Sequence, residues 1–346
     1  MKILITGGCG LVGTNLAKFY RNEEYVLVVD NFERSELLGH KNSNIDRTFY
    51  NQQYLKKLGT EIVSLDISSK QTWDTIEERY GHFDVIFHMA AFVGVGASYK
   101  LPLRAIEINT MGTALMLEKA RKWKAKVVYP STFKVYAINE GWKCENERWR
   151  WTDPNWHENG YPVGTFGDGA RSPYGAAKYA GELLCQEYAK TYEIPVGIFR
   201  MSNIYGEHQI SFEEQGWLTW FIISNIKHYP INIFGDGCQV RDLLYVSDLV
   251  KAFDKFIRSP IKFGIWNIGG GPANTLTLNE GINLIEAETG SLFSYLNYDE
   301  WRKSDLKVYT SDISKIGNDL NWSPSVNLKD GIKRVCKWIK TTEMMW

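Results

Sequence analysis

The chain lacks any excess of charge. Lysine plus arginine and aspartate plus glutamate each number 40 among its 346 residues, so the formal net charge is zero. Partners such as nucleic acid or acidic membranes favour a basic surface, so we expect neither. A long apolar run is also missing: the longest, residues 219–226 (TWFIISNI), falls far short of the length that a bilayer requires. These absences disfavour a nucleic-acid-binding protein and exclude a membrane-spanning one.

Patterns of metal binding and disulfide bonding are missing as well. The five cysteines are scattered and odd in number, and no pair has metal-ligand spacing. The six histidines form no H-E-x-x-H pattern. The apolar stretch in the opening MKILITGG is too short for the core of a signal peptide. We therefore expect no metal, reduced thiols and a soluble protein of the cytoplasm.

What the sequence does contain is an alternation of short β-rich runs and longer helical patterns. Residues 11–22, 102–122 and 172–192 place apolar side chains at helical spacing. The runs between them are apolar on both faces, as buried parallel strands are, and comprise residues 2–6, 25–30, 61–66, 83–91, 126–132 and 195–200. This alternation predicts an α/β fold with an open, doubly wound Rossmann-type parallel sheet.

Two segments interrupt the alternation. Residues 137–171 show no periodicity, but they contain four tryptophans, which argue against disorder. After residue 206 the pattern is irregular, with short strands near 231–237 and 241–246 and a helix from about Asn327, while residues 264–271 return to the main sheet. We expect a Rossmann domain of residues 1–205 plus about 246–270. A smaller C-terminal α/β substrate domain would comprise about 206–245 plus 271–346.

A glycine-rich turn follows the first predicted strand and opens the first helix. Gly7, Gly10 and Gly13 keep this turn tight and let backbone amides approach a pyrophosphate at the helix N-terminus. Asp30 ends the second strand, where a carboxylate accepts hydrogen bonds from both ribose hydroxyls and repels a 2′-phosphate. The pattern predicts NAD rather than NADP.

Two more polar residues are candidates for cofactor binding. Asp66 ends the third strand and is a candidate for the adenine amino group, with a simple turn residue as the alternative. Asn109 is an odd polar residue on an apolar helix face unless it forms a hydrogen bond. Its partner would be either the cofactor or a neighbouring loop.

The stretch RSPYGAAK (171–178) carries the candidate catalytic pair. Ser172 caps the helix and Pro173 suits its first position, so Tyr174 and Lys178 share one helix face. A lysine ammonium beside the phenol lowers the phenol's pKa from about 10, and a positively charged nicotinamide lowers it further. Such a phenol is a general base that removes a hydroxyl proton while hydride leaves carbon.

With these residues the chain resembles the extended short-chain dehydrogenase/reductase family along nearly its whole length. TGGCGLVG (6–13), DN (30–31), SPYGAAK, FRMSNIYG (199–206) and VRDLLYV (240–246) carry the resemblance. It implies that Thr132 joins Tyr174 and Lys178 as the hydroxyl that relays the substrate proton. It also adds Asn31, Ile67 and Ala90 to the cofactor contacts.

Within that family the chain is similar to the CDP-paratose/CDP-tyvelose 2-epimerases. The similarity lies in STFKVY (131–136), EQGWLTWF (214–221), QVRD (239–242) and RKSDLKVYTSDISKI (302–316). It implies transient oxidation and return of hydride at C2 of a CDP-linked deoxyhexose. Phe133 replaces that group's asparagine, however, and Asn203 matches the asparagine of UDP-glucose 4-epimerases. A UDP-sugar 4-epimerase is therefore the first alternative.

The nucleotide-diphosphate sugar of such an enzyme needs cations for its diphosphate. Arg241 and Arg302 match the family's diphosphate-binding arginines, and the alternative is that they form salt bridges with Asp242 and Asp305. The remaining substrate candidates also suit ordinary packing. They are Asn203 for a phosphate, Phe234 for the base, and Gln215, Trp217 and Asp305 for the pocket.

Other activities of the family fit less well. Sugar-nucleotide 4,6-dehydratases carry Asp-Glu directly after the catalytic threonine, whereas Phe133 and Lys134 offer no carboxyl group here. A nucleotide-sugar reductase and a non-enzymatic NAD sensor remain alternatives, although intact Thr132, Tyr174 and Lys178 count against the sensor. The resemblance implies a homodimer or homotetramer, with the dimer formed through the helix that holds Tyr174.

Overall fold

The computed structural model describes residues 1–22, 24–38, 45–137, 141–165, 169–303 and 305–342. The chain divides into two compact units. Unit one comprises Met1–Val135, Ser172–Arg200 and Val250–Trp266, and unit two comprises Tyr136–Arg171, Met201–Leu249 and Asn267–Trp346. The insert 137–171 thus belongs to unit two, whereas the predicted ranges assigned it to the Rossmann part.

Strands and helices alternate through most of the described chain. The strands are β1 (Lys2–Thr6), β2 (Tyr25–Asp30), β3 (Glu61–Ser64), β4 (Val85–His88), β5 (Lys126–Thr132), β6 (Trp142–Glu145), β7 (Arg148–Trp151), β8 (Val196–Met201), β9 (Asn203–Tyr205), β10 (Ile231–Phe234), β11 (Val240–Tyr245), β12 (Phe263–Ile268), β13 (Thr275–Thr277), β14 (Leu296–Asp299) and β15 (Val308–Tyr309).

The helices are α1 (Leu11–Tyr20), α2 (Arg34–Leu37), α3 (Ile45–Lys57), α4 (Lys70–Tyr80), α5 (Val95–Lys100), α6 (Pro102–Ile106), α7 (Gly112–Trp123), α8 (Pro154–Asn159), α9 (Pro173–Thr191), α10 (Trp217–Lys227), α11 (Val246–Arg258), α12 (Leu278–Thr289), α13 (Ser314–Leu320) and α14 (Leu328–Thr341). A π-helical turn, Glu107–Met111, joins α6 to α7.

Unit one is built on a seven-stranded parallel sheet with the order β12-β8-β5-β4-β1-β2-β3. β1 pairs with both β2 and β4, so the strand order reverses at β1 and the sheet is doubly wound. In sheets of this kind, ligands bind in the crevice at the carboxyl ends of the strands where the order reverses. The predicted fold class is confirmed, and it directs attention to the loops after β1 and β4.

The central strands are apolar on both faces because helices cover both sides of the sheet. Leu4, Leu27 and Ile86 are fully buried, and α4 and α7 pack Trp73 and Met116 against the same cluster. The predicted bounds of β1, β2 and β5 are confirmed. The predicted runs 61–66 and 83–91 are longer than β3 and β4, because their last residues leave the sheet for the crevice loops.

Unit two centres on β11, which pairs in parallel with β9 and β15 and antiparallel with β13. β10 and β14 form a separate parallel pair. The helix predicted from about Asn327 is confirmed: the Asn327 side chain caps α14 by accepting a hydrogen bond from the Asp330 N–H. No helix in the described ranges combines the length and the apolarity needed to cross a membrane.

The described part of the tryptophan-rich insert contains regular secondary structure rather than a plain loop. It contains the antiparallel hairpin β6–β7 and the short helix α8. Trp151 is almost fully buried, with its ring 5.1 Å from that of Trp156 and 5.4 Å from that of Tyr161. Aromatic packing of this kind replaces the periodicity that the sequence lacks. Residues 138–140 and 166–168 of the insert lie outside the described residues.

Candidate active site

The glycine turn after β1 has the shape of an anion-binding cradle. Gly7 has a φ of +63°, and a Cβ there would lie 2.5 Å from the Ala90 nitrogen, so neither the conformation nor the space admits a side chain. A Cβ on Gly13 would collide with the backbone of Gly8. Gly10 is the N-cap of α1, and it has no side chain that could bind the first-turn N–H groups. The first-turn N–H groups of α1 are therefore suited to bind a pyrophosphate.

Asp30 lies at the carboxyl end of β2, next to this turn. Its carboxylate accepts hydrogen bonds from the N–H groups of Cys9 and Phe32, both at 2.9 Å. Burial raises the pKa of Asp30, while these two N–H groups and the nearby Arg34 act to lower it. The carboxylate thus fixes the glycine turn and lies where the sequence predicts the contact to the ribose. Asn31, by contrast, is bonded to Glu33 on an exposed stretch.

Asp66 and Ile67 follow β3 on the same side of the sheet. The Asp66 carboxylate accepts hydrogen bonds from the Arg104 guanidinium at 2.5 Å and from the Ser68 N–H at 2.9 Å. Burial acts to raise the pKa of Asp66, but the bonds with Arg104 and Ser68 outweigh it, and the pKa is lowered. The side chain therefore already serves as a turn residue and an ion-pair partner, which is the alternative role that the sequence leaves open. Ile67 is a buried core residue.

Asn109 lies in the π-helical turn, which interrupts the single helix predicted for residues 102–122. Its amide oxygen accepts a hydrogen bond from the Phe92 N–H at 2.9 Å, and its amide nitrogen donates to the Phe92 carbonyl at 3.0 Å. These bonds are the helix–loop alternative for Asn109. They fix the loop after β4, where Ala90 donates its N–H to the Thr6 hydroxyl at 3.3 Å.

The predicted catalytic residues come together at the ends of β5 and α9. Ser172 caps α9 by accepting a hydrogen bond from the Gly175 N–H at 3.1 Å, and Pro173 opens the helix, as predicted. The Tyr174 phenol shares a hydrogen bond with the hydroxyl of Thr132, the last residue of β5. The hydroxyl relay through Thr132 that the resemblance implies stays a prediction.

Lys178 follows Tyr174 by one helical turn and is only 2% exposed. Its ammonium lies 4.3 Å from the centre of the Tyr129 ring, and the Tyr129 hydroxyl donates a hydrogen bond to the Lys178 carbonyl at 3.0 Å. Burial lowers the pKa of Lys178 to about 8, although Cys185 and Glu182 act to raise it. Because this pKa lies only slightly above neutral pH, Lys178 is mainly an ammonium at pH 7, but a further fall in its pKa would remove much of the charge.

The pKa of Tyr174 departs from the expected lowering. Burial raises it to about 12, and the hydrogen bond with Thr132 acts in the opposite direction. The Lys178 ammonium lies against the Tyr129 ring. In the chain by itself, burial therefore outweighs the lowering of the phenol's pKa that the sequence predicts.

Apart from Thr132, which lies in unit one, the predicted substrate residues lie in unit two, and four of them contact each other in pairs. Arg241 is 5% exposed and donates a hydrogen bond to the Asp305 carboxylate at 2.8 Å, so this salt bridge, the alternative to a diphosphate role, is present. The guanidinium of Arg302 lies 3.9 Å from the centre of the Phe234 ring. One face of Phe234, the candidate for stacking on the base, is thus covered by Arg302.

Three further substrate candidates have ordinary partners. Asn203, on β9, donates to the Asp242 carbonyl at 3.4 Å. Gln215 forms a backbone bridge with Phe212 in the approach to α10. Trp217, the first residue of α10, packs its ring 5.5 Å from that of Phe221. For each of these three residues, a contact with the substrate stays a prediction.

The positions that would carry a dehydratase's carboxyl groups are occupied differently. Phe133 and Lys134 begin a 3-10 turn directly after Thr132. Phe133 is almost fully buried, and the Lys134 ammonium lies 5.0 Å from the centre of its ring. Neither side chain supplies a carboxyl group for the elimination of water.

The structure adds residues that sequence reasoning missed. Ser98 accepts a hydrogen bond from the Tyr174 N–H at 3.1 Å. Glu182 forms a fully buried ion pair with Arg200. A signal for the pair was available, since Glu182 lies four residues after Lys178 on the same helix face and Arg200 interrupts an apolar strand.

The chain is similar over its full length to known proteins. Residues 3–269 match the NAD dependent epimerase/dehydratase family. The chain is 34% identical over 349 residues to CDP-paratose 2-epimerase of Salmonella typhi, covering 98% of this chain and 99% of that protein. It is 30% identical over 342 residues to UDP-glucuronate 4-epimerase of Thermodesulfobacterium geofontis, covering 97% and 95%. The crystal structure of UDP-glucose 4-epimerase with UDP-glucose from Thermotoga maritima aligns with a TM-score of 0.81 at 26% identity, covering 99% and 100%.

The position of Asp30 predicts cofactor choice. We expect the protein to bind NAD more tightly than NADP, and Asp30→Ala to reduce that preference at least about tenfold because it removes a charged acceptor. Titration calorimetry with both cofactors measures the ratio, and thermal unfolding checks the fold of the variant. Asp66→Ala is the matched control, because that change should affect both cofactors alike. A wild-type protein without preference, or an unchanged ratio in Asp30→Ala, contradicts the assignment.

Proposed function

The chain belongs to the NAD dependent epimerase/dehydratase family, and from this premise we propose that it is a nucleotide-sugar epimerase that inverts C2 of a CDP-linked deoxyhexose. The observation that carries the proposal is the pairing of the Thr132 hydroxyl with the Tyr174 phenol, four residues before the buried Lys178, with no carboxyl group at residues 133 and 134.

The residues of unit one fit NAD. The glycine cradle and the first turn of α1 would hold its pyrophosphate, and Asp30 would hold the adenosine ribose. When bound, NAD supplies reversible oxidation of one sugar carbon and, in its oxidised form, a positive charge near the phenol. That charge would lower the pKa of Tyr174, which burial raises and which the hydrogen bond with Thr132 lowers only in part.

The chain's own residues move the proton. Tyr174 would take the hydroxyl proton of the reacting carbon at its phenol oxygen and later return it, either directly or through the Thr132 hydroxyl. The Ser98 hydroxyl holds the Tyr174 N–H, so the start of α9 is fixed against α5. Lys178 would act as a neighbouring positive charge rather than as the base, because it is already protonated at neutral pH.

Epimerisation suits this arrangement better than dehydration. Expelling water from a sugar needs an acid and a base besides the tyrosine, and Phe133 and Lys134 supply neither carboxyl group. Inversion at one carbon needs the hydroxyl proton to be removed and returned, together with the reversible hydride transfer that bound NAD would supply, provided that the oxidised sugar turns over in the pocket.

A UDP-sugar 4-epimerase is the second candidate. Asn203 matches the asparagine of UDP-glucose 4-epimerases, and the 34% and 30% identities to a 2-epimerase and a 4-epimerase lie close together. The C2 reading is favoured by the motifs in residues 131–136 and 302–316, which follow the 2-epimerase pattern.

Arg302 is the stronger of the two candidate diphosphate ligands. It stacks on Phe234 and donates a hydrogen bond to the Glu213 carbonyl at 3.2 Å, while a guanidinium offers five N–H donors. Arg241 is instead buried and committed to Asp305. We therefore assign the direct contact to Arg302, with Arg241 and Asp305 holding the strand beside it.

A homodimer is proposed on the basis of the surface of unit one, with a homotetramer as the further state. Leu103 on α6 is 73% exposed, and Ile106, Met111 and Leu183 are each about half exposed. Apolar side chains of this size on α6, the π-helical turn and α9 are typical of a surface that another copy covers.

Incubation with a panel of CDP-, UDP- and GDP-linked sugars, followed by NMR of the products, tests the proposed function. We expect one CDP-deoxyhexose to interconvert with its C2 epimer without added NADH and without a change in mass. Tyr174→Phe is the matched variant, because it keeps the ring and removes the ionisable hydroxyl. Its turnover should fall at least about a hundredfold while folding survives. Inversion at C4 of a UDP-sugar would favour the second candidate, and loss of water or a requirement for NADH would refute both.

Arg302→Ala tests the diphosphate contact. Losing one charge-assisted contact should raise KM for the nucleotide sugar about tenfold or more, with a smaller fall in kcat, because the arginine binds substrate and transition state alike. Arg258→Ala, which removes an exposed arginine paired with Asp254, is the control and should leave both constants unchanged. An unchanged KM in Arg302→Ala would show that this arginine only packs on Phe234.

A further inference from the structure

A fully buried ion pair lies one helical turn beyond the catalytic lysine. Glu182 and Arg200 are 0% and 1% exposed, and the guanidinium donates to both carboxylate oxygens, with distances of 2.5 and 3.2 Å to Oε1 and 3.2 Å to Oε2. A pair of this kind is costly to desolvate, and apolar residues of similar volume would often stabilise a fold as well or better. Its presence therefore invites a role beyond stability.

The ion pair is connected to both catalytic elements. Tyr174, Lys178 and Glu182 are spaced by four residues and lie on one face of α9. The Ser131 hydroxyl of β5 donates a hydrogen bond to Glu182 Oε2 at 2.7 Å, and Ser131 directly precedes Thr132. Arg200 joins from β8. One carboxylate thus ties α9 to the strand that presents Thr132 and to the next strand of the sheet.

The charges around Lys178 give this carboxylate a second consequence. His88, on β4, has its pKa lowered to about 3 by burial and by Lys178, so it is neutral. Burial raises the pKa values of Tyr129, on β5, and Cys185, on α9, so both stay protonated. Glu182 is the carboxylate among the groups that act on Lys178, and it raises the pKa of that lysine.

We propose that Glu182 is a positioning residue that acts through Lys178 and Thr132. Fixed by Arg200 and Ser131, its carboxylate supplies the negative charge that keeps the buried Lys178 an ammonium, and it sets the register of α9 against the end of β5. The effect of this charge on the protonation of Lys178 does not depend on the reaction, while its catalytic consequence rests on the proposed function.

Titration of Lys178 tests the proposal without any need for turnover. Lysine labelled with ¹³C at Cε gives each side chain a resonance that follows its protonation, and loss of one resonance in Lys178→Met assigns Lys178. In Glu182→Gln the midpoint should fall by about one pH unit, because a nearby negative charge has been removed. Glu182→Asp keeps the charge and should restore the midpoint. Glu187→Gln, on the exposed part of α9, should leave it unchanged.

A second variant guards against misfolding. Glu182→Gln leaves Arg200 buried without its partner, which can unfold a protein. The double variant Glu182→Gln/Arg200→Gln carries no uncompensated charge, and its Lys178 midpoint should still fall, because Glu182 shares a face of α9 with Lys178 whereas Arg200 lies on β8. An unchanged midpoint in the folded double variant would overturn the proposal.

Catalysis provides an independent readout. If turnover is observed, its loss on the alkaline side should begin at lower pH in the double variant than in wild type, because Lys178 loses its proton earlier. Ser131→Ala, which changes no charge, should lower kcat several-fold with little change in KM or in the Lys178 midpoint. A shifted midpoint without any turnover in wild type would uphold the role of Glu182 and refute the proposed function. A Lys178 midpoint that is unchanged in the double variant, together with epimerisation by the wild type, would refute the role of Glu182 and support the proposed function.

Discussion

The burial of the Lys178 ammonium is the constraint on which the packing of α9 against β5 depends. An ammonium held out of water loses solvation, which is why its pKa falls to about 8. The Tyr129 ring and the Glu182 carboxylate offset part of that loss. For the ring to lie so close, α9 must approach β5 closely, and Gly181 allows it: a Cβ there would collide with the Tyr129 hydroxyl. The capped start of α9, Gly181 in its middle and the Glu182–Arg200 ion pair thus all help to hold Lys178 in this position.

Local spacing is what allowed the candidate catalytic residues to be predicted from the sequence. Ser172, Pro173, Tyr174 and Lys178 lie within seven consecutive residues, and helix geometry alone puts the last two on one face. The apolar strands were equally readable, because burial on both faces leaves little room for polar residues. The insert 137–171 was not, since its hairpin is held by aromatic contacts such as Trp151–Tyr161 rather than by periodicity.

Properties that depend on distant parts of the chain could not be predicted from sequence. The pKa of Tyr174 follows from burial, which only the folded chain defines, and its direction is opposite to the one that the Tyr–Lys spacing suggests. Arg241 looked like a phosphate ligand, yet Asp305, 64 residues away, takes its guanidinium. Asn109 looked like a cofactor contact, but both ends of its amide bind Phe92. For Arg241 and Asn109 the sequence offered the observed kind of partner as one of two alternatives, and only the folded chain shows which contact forms.

The central claim is that Thr132, Tyr174 and Lys178 support oxidation and reduction at one sugar carbon and nothing further. The most direct measurement uses a nucleotide sugar deuterated at the carbon whose configuration changes, with the reaction run in ordinary water and the product analysed by NMR and mass spectrometry. The account predicts that the epimer keeps its deuterium at that carbon and that its mass equals that of the substrate. Hydrogen from solvent at that carbon, or a product lighter by one water, would contradict it.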